Sequence, residues 1–148
     1  MSEQSDTSIY TEYIMEQSMS LHNKHELECP DCCEMGRNPN CGDEITLEIN
    51  WDGEVISDMA FTGFGCAISQ ASTSIMIDLV KGKTRSEALE LTETFLAMIK
   101  REITDESELE CLEDAVALKN VCNMPARVKC AVLAWHTLQT LMESSCER

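Results

Sequence analysis

A change of hydrophobic period at Cys66 constrains this chain more than any other feature. Before it, Ile45, Leu47 and Ile49 alternate with Thr46, Glu48 and Asn50, the two-residue repeat of a strand with one buried face. Asp52-Gly53 follows as a tight hairpin signal, and Val55 to Phe64 read as the return strand. Beyond Cys66, Ile68, Ala71, Ile75 and Leu79 share one helical face, and Gly82 is placed to close that helix. A hairpin followed by helices is an α+β pattern. The expected fold is a small antiparallel β-sheet packed against several α-helices.

The rest of the chain supplies those helices. Ile9, Tyr10, Tyr13, Ile14 and Met19 suggest a short helix over residues 8–21. Residues 22–43 hold Pro30, Gly36, Pro39 and Gly42, and read as a loop with room for one short strand. Thr84 and Glu87 form a capping-box pattern ahead of a helix bearing Ala88, Leu91, Phe95 and Met98. The acidic stretch 101–119 predicts a third, exposed helix on Leu109, Leu112 and Val116. Pro125 suits the first turn of a final helix whose buried face carries Val128, Ala131, Trp135, Leu138 and Met142. With 148 residues, no repeats and no linker, a single domain over 1–148 is expected. Aromatic residues are only 5%, so the core rests on aliphatic side chains and on methionines such as Met76, Met98 and Met142.

Charge narrows the partners. The formal net charge is −16, and such a surface repels phosphate backbones and anionic headgroups. No nucleic acid and no membrane partner is expected; a basic patch on another protein suits better. The first basic residue is Lys24, no apolar leader precedes it, and the longest apolar run, Cys130 to Trp135, is far too short to cross a bilayer. A cytoplasmic location is expected.

The nine cysteines are then informative. A reducing compartment keeps thiols free, which points some of them to metal or sulfur chemistry rather than to a disulfide scaffold. Cys41 sits in a turn just before the first strong strand, and Cys66 ends the antiparallel partner strand. Hairpin geometry therefore brings both to one sheet edge, with the Asp43 carboxylate two residues from Cys41. Cys66 also begins a helix, where backbone N–H groups stabilise a thiolate. Cys130 lies in the first turns of the last helix, which could cross the same edge. Three thiolates and a carboxylate make a tetrahedral zinc site, or one for iron or an iron–sulfur cluster. The blander alternative is three buried thiols and a turn aspartate. Cys29-Pro30-Asp31-Cys32-Cys33 lacks the second pair a zinc module needs and reads as incidental or accessory, as do Cys111, Cys122 and Cys146. His22, His25 and His136 read as structural.

Three stretches carry a family resemblance. They are Asn38-Pro39-Asn40-Cys41-Gly42-Asp43, Thr62-Gly63-Phe64-Gly65-Cys66-Ala67-Ile68-Ser69-Gln70-Ala71-Ser72 and Arg127-Val128-Lys129-Cys130-Ala131-Val132-Leu133-Ala134-Trp135. With Val80-Lys81-Gly82-Lys83-Thr84, they resemble, in order, the motifs of the U-type iron–sulfur cluster assembly proteins of the NifU N-terminal/IscU/SufU fold, over residues 8–143. Lys129 stands where IscU-type members carry histidine, and the acidic stretch fills an insertion, so the chain is most similar to the SufU branch. The resemblance implies zinc held by Cys41, Asp43, Cys66 and Cys130. It implies a sulfurtransferase role, with persulfide sulfur taken from a pyridoxal-phosphate cysteine desulfurase of SufS type and relayed to downstream iron–sulfur assembly proteins. Cys41 would be the catalytic sulfur acceptor, released when the partner replaces it on zinc. Arg127, one turn before Cys130, would offset the site's charge or pair with the partner. The alternative is a scaffold for a nascent [2Fe–2S] cluster.

Overall fold

The structure, a computed structural model, describes residues 11–39 and 42–143. Three antiparallel strands form a meander in the order β1-β2-β3: β1 (Cys32–Asn38), β2 (Asp43–Asp52) and β3 (Val55–Phe64). The expected alternation holds along β2, where Asp43, Ile45, Leu47, Ile49 and Trp51 point inward and Glu44, Thr46, Glu48 and Asn50 lie between them, partly exposed. A register shift between Asn50 and Trp51 accommodates the approach to the Asp52-Gly53 turn.

The strand β1 occupies part of the expected loop. It carries one large apolar side chain, Met35, which is exposed, so periodicity had little to report. Gly36 shows why. A Cβ there would lie 2.0 Å from Thr137 Oγ1, so the last helix presses directly on the strand's backbone.

Helix α1 (Glu12–Met19) starts at Thr11, whose hydroxyl accepts the Ile14 N–H at 3.2 Å, and buries Ile14. Residues 8–10 of the expected N-terminal helix lie outside the described residues. Helix α2 (Ala67–Val80) runs through the middle of the molecule, with every residue buried except Ala67 and Asp78. Lys81 caps it, and Gly82 follows with φ +85. Helix α3 (Arg85–Ile99) begins with the expected capping box: the Thr84 hydroxyl accepts the Glu87 N–H at 3.1 Å, and the Glu87 carboxylate accepts the Thr84 N–H at 2.9 Å. Helix α5 (Pro125–Glu143) follows a short turn, α4 (Glu106–Leu109), and a 3₁₀ segment (Glu110–Asn123). Trp135 of α5 stacks on Phe95 of α3 with centroids 3.9 Å apart. Among the described residues no helix is long and apolar enough to cross a membrane.

The 101–119 stretch corrects the expectation of one α-helix. The buried residues are Leu109, Leu112, Ala115, Leu118 and Val121, every third position. Three residues per turn is the 3₁₀ repeat, which stacks such side chains in one row. At 3.6 per turn the same row would drift around the helix and leave part of itself in water. A break at Glu113, with φ 51 and ψ −125, divides the segment.

Candidate metal centre

The hairpin brings the expected ligands together through backbone register. Asp43 opens β2 opposite Asn38, and Glu44 pairs with Phe64 at the end of β3. Two residues later Cys66 takes the N-cap position of α2 in extended backbone. Its N–H donates to Asp43 Oδ1 at 3.1 Å. Gly65 makes this approach possible, because a Cβ there would stand 2.7 Å from Asp43 Oδ1 and 3.0 Å from Ser69 Oγ. The Cys66 side chain makes no capping bond to α2.

Helix α5 delivers the third ligand. The Ser72 hydroxyl donates to the Ala131 carbonyl at 2.6 Å and accepts the Trp135 indole N–H at 2.9 Å. This pins α5 to α2 beside Cys130. One ligand atom each from Asp43, Cys66 and Cys130 then lies within 4.8 Å of the others. Asp43 and Cys130 are buried, whereas Cys66 is partly exposed and marks the open side. Cys41, the fourth expected ligand, lies outside the described residues together with Asn40. On either side of them, the Asn38 carbonyl accepts the Gly42 N–H at 2.9 Å. Arg127 is half-buried in the first turn of α5, one turn before Cys130.

The electrostatics fit a cation. Burial pushes the Cys130 thiol well above the ordinary thiol range, and Asp43 and Cys66 beside it push it further. Asp43 Oδ1 is taken by the Cys66 N–H, which leaves Oδ2 buried without a hydrogen-bond partner among the described residues. A carboxylate and two thiols this close cannot all carry charge unless a positive ion sits between them. Two sulfurs and one oxygen suit zinc or iron, with Zn–S near about 2.3 Å, and a further protein ligand would close a tetrahedron.

The remaining candidates lie elsewhere. Cys29 and Cys33 are exposed free thiols, and Cys111 is exposed. Among the described residues Cys32 is disulfide-bonded and six other cysteines are free thiols. With Cys29 free and Cys32 bonded, the Cys29/Cys32 pair is not an open two-thiolate half-site. Cys122 accepts from Arg101 Nε at 3.2 Å. His22 lies 3.6 Å from Asp78, and His136 is exposed. Cys146 lies outside the described residues.

Sequence reasoning passed over three neighbours of the centre. Asn38 faces Asp43 across the strands, and Ser69 and Gln70 follow Cys66 by three and four positions on α2. All are buried. That helical spacing was the available signal, but polar residues on a helix are ordinarily assigned to solvent.

The chain matches the profile of the NifU-like N terminal domain family over residues 9–144. It is 36% identical, over 91% of its length and 93% of the relative's, to the iron–sulfur cluster assembly scaffold protein IscU of Thermotoga maritima. It is 38% identical, over 88% of its length and 87% of the relative's, to the zinc-dependent sulfurtransferase SufU of Bacillus subtilis. Its fold superposes with a TM-score of 0.87 and 38% identity on a SUF-system protein of Fervidobacterium islandicum, crystallised as a candidate iron–sulfur cluster assembly scaffold, covering 97% of this chain and all of that one. A convergent Asp43–Cys66–Cys130 group, a matching profile over most of the sequence and relatives aligned nearly end to end agree: the chain belongs to the NifU-like N-terminal domain family.

Proposed function

We propose that this protein is a zinc-binding sulfur carrier for iron–sulfur cluster assembly. The observation that carries the reading is the group of Asp43, Cys66 and Cys130 ligand atoms within 4.8 Å, buried on two sides and open at Cys66. The Bacillus subtilis relative, named a zinc-dependent sulfurtransferase, supports it. Asp43, Cys66 and Cys130 hold the ion, and Cys41 is its fourth ligand and the sulfur acceptor. Bound zinc supplies the positive charge that keeps these thiols deprotonated at neutral pH. The Cys66 N–H would hold the Asp43 carboxylate in place as a ligand. Arg127 offsets the negative charge of the centre.

The sulfur donor is a pyridoxal-phosphate cysteine desulfurase of SufS type, the recipients are iron–sulfur assembly proteins, and the setting is the cytoplasm. In the transfer step the Cys41 thiolate attacks the terminal sulfur of the donor's Cys–S–SH group. The donor S–S bond breaks, a new one forms on Cys41, and the donor leaves as a thiolate. The sulfane proton moves with its sulfur, and no external oxidant or reductant is needed.

Purified protein is expected to be colourless, with about one zinc per chain, and to accelerate sulfide release by the desulfurase. Cys41→Ala is expected to abolish the acceleration; full stimulation by that variant overturns the reading. A second reading, a scaffold carrying a nascent [2Fe–2S] cluster, draws support from the scaffold names of the relatives from Thermotoga maritima and Streptococcus pyogenes. A brown protein with visible absorption from bound iron and sulfide would favour it.

A further inference from the structure

Among the described residues, seven buried side-chain nitrogen and oxygen atoms lack a hydrogen-bond partner, and five of them belong to Asn38, Asp43, Ser69 and Gln70. Folded proteins satisfy nearly all such atoms with protein groups, ordered water or a ligand, so a cluster of exceptions marks a place where polar guests bind. A cation accounts for Asp43 Oδ2. It does not account for Asn38 Nδ2, Ser69 Oγ, or Gln70 Oε1 and Nε2, because hydroxyl and carboxamide groups are poor ligands for a thiolate-bound metal. Asn38, Ser69 and Gln70 are 7%, 1% and 6% exposed, so bulk water does not serve them.

Register and helical position direct these groups toward one location. Ser69 Oγ and Asp43 Oδ1 both border the space a Gly65 side chain would fill. Gln70 stands one turn above Cys66, over which a helical side chain leans. Asn38 is the cross-strand partner of Asp43. The Cys66 side chain makes no capping bond to α2, and the Asp43 carboxylate accepts the Cys66 N–H, so the helix's positive end faces the centre. Each of the three side chains can donate a hydrogen bond. During the exchange one negative charge is shared over the three sulfurs in line, and two thiolates and a carboxylate outweigh a dication and oppose it. Neutral donors answer that repulsion without adding a charge.

We propose that Ser69, Gln70 and Asn38 form a hydrogen-bonding pocket for the sulfane sulfur that reaches the centre, and are not metal ligands. The proposal rests on the sulfur-carrier reading. The chemistry is the exchange written above, in which the three side chains donate to the migrating sulfur as its old S–S bond breaks and the new one forms.

Two measurements test it. In the first, cobalt-substituted full-length protein is titrated with hydrosulfide and followed by its visible bands. Ser69→Ala and Gln70→Met are each expected to weaken hydrosulfide binding about 10-fold, with cobalt affinity and Tm unchanged, and Ser69→Thr to stay within about 3-fold of the parent. Parental affinity in both truncating variants overturns the proposal, as does loss of cobalt in step with hydrosulfide. Gln70→Met preserves volume and carries the test if Ser69→Ala does not fold. In the second, labelled sulfur is transferred from a persulfidated cysteine desulfurase, and Ser69→Ala is expected to slow transfer about 10-fold. If the parent binds hydrosulfide through these residues yet accepts no sulfur from the desulfurase, the carrier reading fails and the pocket stands. If the parent accepts sulfur and Ser69→Ala matches it, the pocket fails and the carrier reading stands.

Discussion

The rim that holds Asp43, Cys66 and Cys130 and the 3₁₀ segment Glu110–Asn123 treat charge in opposite ways. At the rim a carboxylate is 1% exposed and a thiol fully buried. Along the 3₁₀ segment, Glu110, Glu113 and Asp114 face water. Hydrated carboxylates need no counter-charge, whereas a buried carboxylate beside two sulfurs needs a cation. The net charge of −16 therefore mixes two populations, and only the smaller, buried one bears on chemistry.

The contrast breaks first, and with the largest effect, at the ligands. Cys130→Ser is expected to lower zinc affinity by at least about 100-fold, while Glu113→Gln leaves it unchanged; metal titration of the two variants compares the regions directly. Chelating the metal should lower Tm by roughly 10 °C, since ligand at about a thousand times its Kd contributes about 4 kcal/mol to a chain of this size. Calorimetry with zinc loss confirmed checks it.

The pH dependence separates the regions next. In metal-free protein, folding favours the protonated Cys130 because burial raises its thiol. That stability is present below about pH 8.5, the ordinary thiol value, and is lost as pH rises beyond it. With zinc the sign reverses: affinity falls as pH drops, about tenfold per unit for each proton released. Tyr13, pushed up to about 12 by burial and then by Asp114 and Asp78, contributes stability that is present below pH 10 and lost between 10 and 12. Melting curves from pH 7 to 12, with and without chelator, should show a chelator-dependent change at the rim and a chelator-independent one at Tyr13 that Tyr13→Phe removes.

Smaller effects sharpen the picture. Ser72→Ala removes a bridge between α2 and α5 and should cost about 2 kcal/mol, with weaker metal binding because Cys130 loses its anchor; denaturant unfolding and zinc titration measure both. Glu113→Gly should stabilise by about 1 kcal/mol, because φ 51 with ψ −125 suits glycine, and should leave the metal untouched. A destabilised variant would remove backbone strain from the account of that segment.

Local pattern carried most of the architecture. Alternation over 45–50, the Asp52-Gly53 turn, the Thr84/Glu87 capping box and the faces of α2, α3 and α5 depend on near neighbours in the chain, and all are legible in one dimension. The same holds for the placement of Cys66 and Asp43 at a shared sheet edge, since hairpin pairing follows from the turn. Packing between distant elements settled the remainder. β1 is a strand because the edge of β2 and the surface of α5 accept a backbone with glycine where a side chain would collide. The Glu110–Asn123 segment is 3₁₀ because its every-third-residue face must stay against the core. Cys130 reaches the rim through Ser72, and buried side-chain atoms of Asn38, Ser69 and Gln70 are left without partners only once three elements meet. Propensity sums over sequence neighbours, while a site is a set of distances between residues far apart along the chain, and packing is what brings those distances down to a few ångströms.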